Sequence, residues 1–489
     1  MGRIRDNYAL FTPSLVSARE LMSSLGALLL IILSFSVCGT AQSQAINGTI
    51  RGRATDPTGA AVVGANVTVR NLDTAFTRSA QTNDEGYYVI PNLPLGTYEA
   101  EVKKAGFAAV HTRNIVLQAG TDAVIDAPLQ AASVETTVEV TGGAPLIQAS
   151  TAEIGRTITQ TETENLPLTS RNPYNFILFQ PGVSGHPNQE LGIPRTLNTN
   201  GLLDRINYQL DGMVDTETDR HGLRLFPISD SYVREVQTVS NSFAPEFGQT
   251  AGNIYNVVTN SGTNQIHGMF NYIHRWVDAT ARPLLLSPTA PKPELKLNDY
   301  LANAGGPLIK DKVFWFSSYE HLERGQPQPT TITPANAAAI GIDPSLLVAG
   351  PGLLHGQFFD LRGDWIINSK HSAFLRYNYF KNDFPFNTNV GGLNALDASS
   401  DFADRAHVIG MQLVSTFSPN LLNEFRFSWP YRKNRHFAGP KTGAGPAIAI
   451  SGIANFNGTI GAGDRFAEKI PSFNEHLTII RGRHSFKVG

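Results

Sequence analysis

In the second half of the chain apolar and polar residues alternate one by one, the period of a strand whose two faces meet different surroundings. Phe359, Leu361, Gly363, Trp365 and Ile367 fall on one face, with Asp360, Arg362 and Asp364 between them. Leu375, Tyr377 and Tyr379 oppose Arg376 and Asn378, and Phe425, Phe427 and Trp429 oppose Glu424, Arg426 and Ser428. The pattern predicts strands near 265–276, 298–305, 313–323, 356–367, 371–382, 404–417, 421–431, 473–480 and 484–489. Upstream, Val62 to Val69 and Thr97 to Val102 alternate in the same way. Turns at Asp56-Pro57-Thr58-Gly59, Asn83-Asp84-Glu85-Gly86 and Pro91-Asn92-Leu93-Pro94-Leu95-Gly96 punctuate that region. Such spacing predicts a small antiparallel β-sandwich from Gly48 to about Val134.

One alternating strand suits a soluble sandwich as well as a membrane barrel, so the connections in the second half must decide. They run long, then short, four times over, and the short ones centre on Ile309-Lys310-Asp311, Asn368-Ser369-Lys370, Ser418-Pro419-Asn420 and Arg481-Gly482-Arg483. Outer-membrane barrels have short periplasmic turns and longer external loops, with aromatic residues near the strand ends. A barrel entered from the periplasm sends its first strand outward, so its first connection should be long, as it is here. Nine strands cannot close so wide a barrel, and lipid does not tolerate an open edge of unpaired backbone groups. With His484-Ser485-Phe486-Lys487-Val488-Gly489 reading as a strand in progress, the expectation is a truncated frame whose isolated product does not insert stably.

Composition agrees and narrows the chemistry. Charged residues are 16% of the chain, with 44 Gly and 29 Pro, a mixture that suits strands and turns. The net charge of −2 gives no global field for nucleic acid, which is not expected as a partner. The one cysteine, Cys38, lies in an N-terminal leader, leaving the mature chain without disulfides, zinc-thiolate sites or a cysteine nucleophile. That leader carries Arg3, Arg5 and Arg19, an apolar run from Leu25 to Leu33 too short to span a bilayer, and small-x-small sites ending at Ala41 and Ala45. This is the layout of a cleaved secretory signal, with cleavage after Ala41 or Ala45, and bulky Val37 argues against lipidation of Cys38.

Several stretches resemble known families. Gly52, Asp56-Pro57-x-Gly59, Gly86-Tyr87, Leu93-Pro94-x-Gly96-x-Tyr98 and Gly106-Phe107 resemble the carboxypeptidase regulatory-like family, a transthyretin-like sandwich of seven strands. The resemblance implies no peptidase, and a spacer role is favoured over sugar binding. Glu164-Asn165-Leu166-Pro167-Leu168, Arg171-Asn172-Pro173, Leu178-x-Gln180-Pro181-Gly182, Asn207-x-x-Leu210-Asp211-Gly212, Val233-Arg234-Glu235-Val236, Ala244-Pro245-Glu246-Phe247-Gly248 and Ala251 to Thr259 resemble a receptor plug. With Asn303 to Phe316 and Tyr319-Glu320, the mature chain as a whole resembles the Oar-like TonB-dependent transporters.

The expected order is a signal peptide (1–45), the sandwich (46–133), a coupling segment (134–142), a mixed α/β plug (143–263) and the first part of an antiparallel transmembrane β-barrel (264–489), mainly β throughout. Glu135-Thr136-Thr137-Val138-Glu139-Val140-Thr141 is extended by propensity and can add itself to a partner's sheet edge. It resembles a TonB box, which implies an inner-membrane energy transducer as partner, alongside the outer-membrane bilayer. The resemblance implies receptor-mediated uptake of a large or scarce ligand, a carbohydrate or a peptide, in the cell outer membrane. The alternative is a surface carbohydrate-binding or adhesin protein on the same scaffold.

Candidate chemistry is sparse. Asp211, Asp215, Glu217 and Asp219, followed by His221-Gly222, alternate as a calcium loop does, but the closing glutamate of the twelve-residue loop is missing. They are expected to line a plug loop that meets ligand; calcium is the one cofactor the pattern would suit, and no confident metal site follows. His267 and His274 have no nucleophile beside them, so they are expected as girdle or lumen residues and no catalytic site is expected.

Overall fold

The computed structural model describes residues 47–489 apart from 132–137, 142–153, 167–171, 189–190, 219–222, 242–246, 249, 280, 282–291, 293–294, 460 and 482–483. The signal peptide and residues Glu135 to Thr137 lie outside the described residues, as do Asp219, His221 and Gly222.

Eight short strands make the N-terminal sandwich: β1 (Gly48–Thr55), β2 (Asn66–Asn71), β3 (Thr77–Gln81), β4 (Tyr87–Leu93), β5 (Gly96–Lys103), β6 (Val110–Leu117), β7 (Asp122–Val124) and β8 (Ala127–Pro128). One sheet has the order β4-β1-β7 with β8 also on β1, and the other runs β3-β2-β5-β6. Every second residue of β1 and β5 is buried, as their alternation demands, and Ile50, Val67, Val69, Ile90, Tyr98 and Val102 share one core. The turns have the predicted chemistry. Asp56 accepts the N–H groups of Thr58 and Ala60 at 2.9 Å, and Gly59 takes φ +84°. A further strand, β9 (Val138–Thr141), extends the second sheet by pairing in parallel with β6, Val138 opposite Val110 and Thr141 opposite Arg113.

The plug is built on β10 (Ile154–Ile158), β11 (Val183–His186), β12 (Arg195–Thr199), β13 (Leu202–Leu203), β14 (Ile206–Leu210), β15 (Met213–Val214), β16 (Val233–Asn241) and β17 (Asn253–Thr259). Its main sheet has the order β10-β16-β17-β14-β15. A short helix α1 (Gln160–Asn165) starts from a Thr159/Glu162 capping box, and a 3-10 turn follows at Pro173–Phe179. All residues of β14 and β17 are buried on both faces. That is unusual for so small a sheet and follows from its position: Tyr174, Tyr208 and Tyr255 of the plug share a core with Phe316, Phe358 and Phe380 of the surrounding wall.

The wall is an antiparallel meander of β18 (His267–Arg275), β19 (Lys296–Ile309), β20 (Val313–Gly325), β21 (Leu353–Ile366), β22 (His371–Thr388), β23 (Ser400–Ser418) and β24 (Leu421–Phe437). In the next long connection β25 (Ile448–Ile450) and β26 (Ala454–Phe456) form a hairpin. Then β27 (Arg465–Lys469) and β28 (Ser472–Arg481) pair with successive parts of β24, and β29 (His484–Val488) follows β28. The sheet does not close; β18 and β29 stand at its two ends. The long-short rhythm of connections is present as predicted. The strands rise higher than predicted at the long-loop end, where both faces are wet and the alternation fades. Pro471, which has no N–H, marks the break between β27 and β28.

Burial across the wall is inverted relative to a soluble sheet. Phe359, Leu361, Trp365, Leu375 and Trp429 are exposed on the outer face, whereas Asp360, Arg362, Arg376, Asn378, Glu424 and Arg426 are buried on the inner one. Outward apolar and inward charged residues are what a lipid-facing wall requires. The two wall histidines divide: His267 lies against inward Phe316, and outward His274 stacks between Tyr272 and Trp276. At the long-loop end Ile332, Ala337 of α2 (Pro334–Ile340), Ile342, Ala395 and Ala454 pack the loops together.

Candidate functional site: plug acids against wall arginines

The site begins with a tight turn. Between β14 and β15, Asp211 and Gly212 both adopt left-handed backbone, φ +51° and +67°, the conformation that an Asp-Gly pair supplies in a two-residue hairpin. The turn lifts the Asp211 side chain out of the plug sheet toward the wall. Its carboxylate accepts the Thr259 N–H at 2.9 Å and the Thr259 hydroxyl at 2.9 Å. Arg376 of β22 places Nε 2.9 Å from it, at an angle too oblique for an aligned N–H bond, and Arg362 of β21 stands at 3.6 Å. Asp211 and Arg376 are both fully shielded from solvent.

Each arginine is itself fixed. Arg376 donates to the Leu210 carbonyl at 2.9 Å and to Asn378 at 2.6 Å, and Asn378 in turn donates to Asp360 at 2.7 Å. Arg362 donates to Thr259 Oγ1 at 2.8 Å, pairs with Asp364 at 2.7 Å and lies 4.1 Å over the Phe374 ring. Two glycines make room for the guanidinium groups. A Cβ on Gly212 would sit 2.9 Å from Arg426 Nη1, and one on Gly410 would sit 2.9 Å from Arg376 Cζ.

A second contact repeats the theme higher in the barrel. Glu217 is ion-paired with Arg432 of β24, which also holds wall residue Asp404 at 2.8 Å and donates to the plug carbonyl of Arg224 at 3.1 Å. Asp215 plays a different part. It turns inward, accepts the Phe226 N–H at 2.8 Å and the Tyr174 hydroxyl at 3.3 Å, and burial pushes its carboxyl up to about 7. The three described acids of the predicted cluster therefore have three separate sets of partners. Among the described residues no group of three or more His, Cys, Asp or Glu side chains converges as metal ligands would.

The underside of the plug, at the short-turn end, meets the sandwich. Glu235 of β16 accepts the Ala119 N–H at 2.8 Å, Asn264 donates its N–H to the Asp73 carbonyl at 2.8 Å, and Leu95 packs on Met213, Val258 and Phe374. Burial raises the Glu235 carboxyl above its ordinary range, against the opposing pull of Arg234 and the Ala119 N–H. A cavity of about 100 Å³ remains there, lined in part by Asn92, Arg234, Arg362 and Gln412. Of the predicted coupling segment, Val138 to Thr141 form β9 and lie on the free edge of β6.

The sequence offered Asp211 and Glu217 but not their partners. Arg362 and Arg376 are recognisable as inward-facing charges by parity alone; Thr259 and Arg432 carried no comparable signal. What the arrangement can do is specific. It adds, to the aromatic core shared by globule and wall, a few buried ion pairs whose partners separate if the globule shifts.

Comparison with known proteins gives a consistent picture. Residues 49–130 match the carboxypeptidase regulatory-like domain, and residues 258–349 and 334–489 match the outer membrane beta barrel domain. The TonB-dependent transporter Oar of Myxococcus xanthus is 25% identical over 301 residues, which is 59% of this chain and 27% of the relative, so the chain spans about a quarter of that relative's length. The outer membrane transporter YddB of Escherichia coli superposes with a TM-score of 0.50 at 12% identity, covering 68% of this chain and 46% of the other. The siderophore receptor PirA of Acinetobacter baumannii gives 0.46 at 14% identity, over 66% and 45%. The barrel is that of an outer-membrane protein.

Proposed function

From a chain that is a homologue of a TonB-dependent transporter, we propose a receptor for energised uptake of a scarce ligand across the outer membrane. The observation that carries the reading is the clamp of Asp211 and Glu217 on Arg376, Arg362 and Arg432. Beside the aromatic core that plug and wall share, these few buried charge pairs give the plug a discrete closed state that an applied pull can break. The pull would enter through residues Glu135 to Thr141, whose strand character lets an inner-membrane transducer of the TonB kind pair with them along the backbone. For that, β9 must exchange its pairing with β6 for pairing with the partner.

The test needs no knowledge of the ligand. The chain in detergent is presented with the soluble periplasmic domain of a TonB-type protein from the same host, and capture is compared with a form lacking residues 134–142. Capture that depends on those residues supports uptake. Undiminished capture, or none at tens of micromolar, removes the energy-coupling step and leaves the adhesin reading.

A further inference from the structure

We propose that the outer wall of β22, β23, β24 and β27 binds the phosphate-bearing headgroup of a lipid in the leaflet that surrounds the long-loop end of the barrel. The strands here run to 17–19 residues. At roughly 3.3 Å per residue and a tilt near 45° they rise about 40 Å, well beyond a ~30 Å hydrocarbon layer. Where they leave that layer, the outward residues form a ring row: Tyr379 and His407 lie 5.0 Å apart, and His407 and Tyr431 6.3 Å, as an aromatic girdle should.

One step above the rings the same face turns cationic. Lys381, Arg405 and Lys433 occupy one cross-strand row, and Arg435 opposite Arg465 the next, while Lys469 caps the Tyr431 ring at 5.4 Å. Asp383 is the one carboxylate among them, 3.2 Å from Lys381 and 2.6 Å from Arg405. No ion pair is described for Lys433, Arg435 or Arg465, and all three are exposed.

Charge on these strands is sorted by face. Asp404 and Glu468, neighbours in sequence of Arg405 and Lys469, turn to the lumen side, where they meet Arg432 and Thr218. At the same level the adjoining strands carry Tyr272, Tyr300, His321 and Gln357 in one register, so the cationic patch is local and not a general feature of the interface. Cations placed at the headgroup level, with long stems lying over rings, fit an anionic headgroup whose acyl chains lie on the aromatic and aliphatic band below. A soluble anion would gain nothing from that band.

The chain is purified in dodecylmaltoside and mixed with micelles carrying dioleoylphosphatidic acid or dioleoylphosphatidylcholine, and retained lipid is counted by native mass spectrometry. Phosphatidic acid should be held at least tenfold more tightly. The triple variant Lys433→Gln, Arg435→Gln, Arg465→Gln should weaken it by about two orders of magnitude, roughly fivefold per cation. The charge-preserving pair Lys433→Arg, Arg435→Lys should hold it as before, and if the triple variant does not fold, Lys433→Gln alone should show the fivefold loss. Equal retention of the two lipids, no effect of the neutralising substitutions, or displacement by inorganic phosphate at matched concentration overturns the proposal.

Discussion

Replacing Asp211 by Asn keeps the shape of the side chain and an acceptor for the Thr259 N–H, but removes the charge that faces Arg376 at 2.9 Å and Arg362 at 3.6 Å. At an effective dielectric constant of about 20, each contact has a gross attraction of roughly 5 kcal/mol. The net loss is smaller, because Arg362 keeps Asp364, whereas Arg376 keeps only neutral hydrogen-bond partners, with the Asp360 and Asp215 carboxyls farther off, and is left without solvent. Removing one member of a buried pair costs about 3–5 kcal/mol. The cost should fall on seating of the plug and spare the wall, raising the open population by two to three orders of magnitude. Native-state hydrogen exchange reads this directly: amides of β14 and β17 should exchange 10²–10³-fold faster in Asp211→Asn, while those of β22 and β23 stay within a factor of a few. The double variant Asp211→Leu, Arg376→Met should recover much of the loss, since a buried pair replaced by apolar groups leaves nothing unpaired. A loss below 1 kcal/mol, or strictly additive single losses in that cycle, would refute the claim that the charge pair holds the plug.

Three further outcomes follow from the same geometry. Gly212→Ala should destabilise the plug by about 1–3 kcal/mol, because the position needs φ +67° and the new Cβ would press on Arg426; urea denaturation of the plug, followed by exchange protection, measures it. Asp215 has a carboxyl raised to about 7 against roughly 4 in the unfolded chain, so the folded plug binds its proton more tightly. Plug stability should therefore be greatest near pH 4 and fall as pH rises to 7, and Asp215→Asn should flatten that part of the profile; an unchanged slope counts against the assignment. Leu375→Arg, at an outward position 57% exposed, should cost the wall up to about 2–4 kcal/mol where that face is covered by apolar chains, measured by urea unfolding in dodecylmaltoside micelles; an unchanged midpoint counts against a lipid-facing wall.

Much of the fold could be read from local pattern because the information is local. Period-two alternation at Phe359 to Trp365 or Phe425 to Trp429 states which face meets lipid, and a three-residue turn such as Asn368-Ser369-Lys370 fixes the hairpin around it. The strand at Arg465–Lys469 was missed for the complementary reason. It stands above the hydrocarbon, both faces are wet, and no apolar alternation is required of it. The parallel pairing of β9 with β6 was equally invisible, since an extended segment advertises that it can pair but not with what. In the site, Asp211 and Glu217 both stood out through the alternating spacing of the acidic residues, and the Asp-Gly turn that aims Asp211 is a finding of the structure. The acidic alternation delivers its described side chains to different places: past β15 the chain leaves strand geometry, so Asp215 and Glu217 do not share a side as residues two apart in a strand would, and Asp215 goes into the plug while Glu217 reaches the wall. Arg376 and the backbone oxygen it holds at Leu210 are 166 residues apart. No local pattern encodes such a contact.

The two glycines at the clamp have a consequence for how the plug returns after it has moved. Gly212 on the plug leaves a notch for the guanidinium of Arg426, while Gly410 seats Arg376 within the wall itself and so fixes the group that meets Asp211. The notch at Gly212 acts as a keyway: it indexes the plug to one azimuth within the barrel, and a rotation that brings another pair of surfaces together meets a Cβ or an unpaired charge. Re-seating is then a matter of finding one angular setting, and the closed channel is reached as a click into register instead of a gradual tightening.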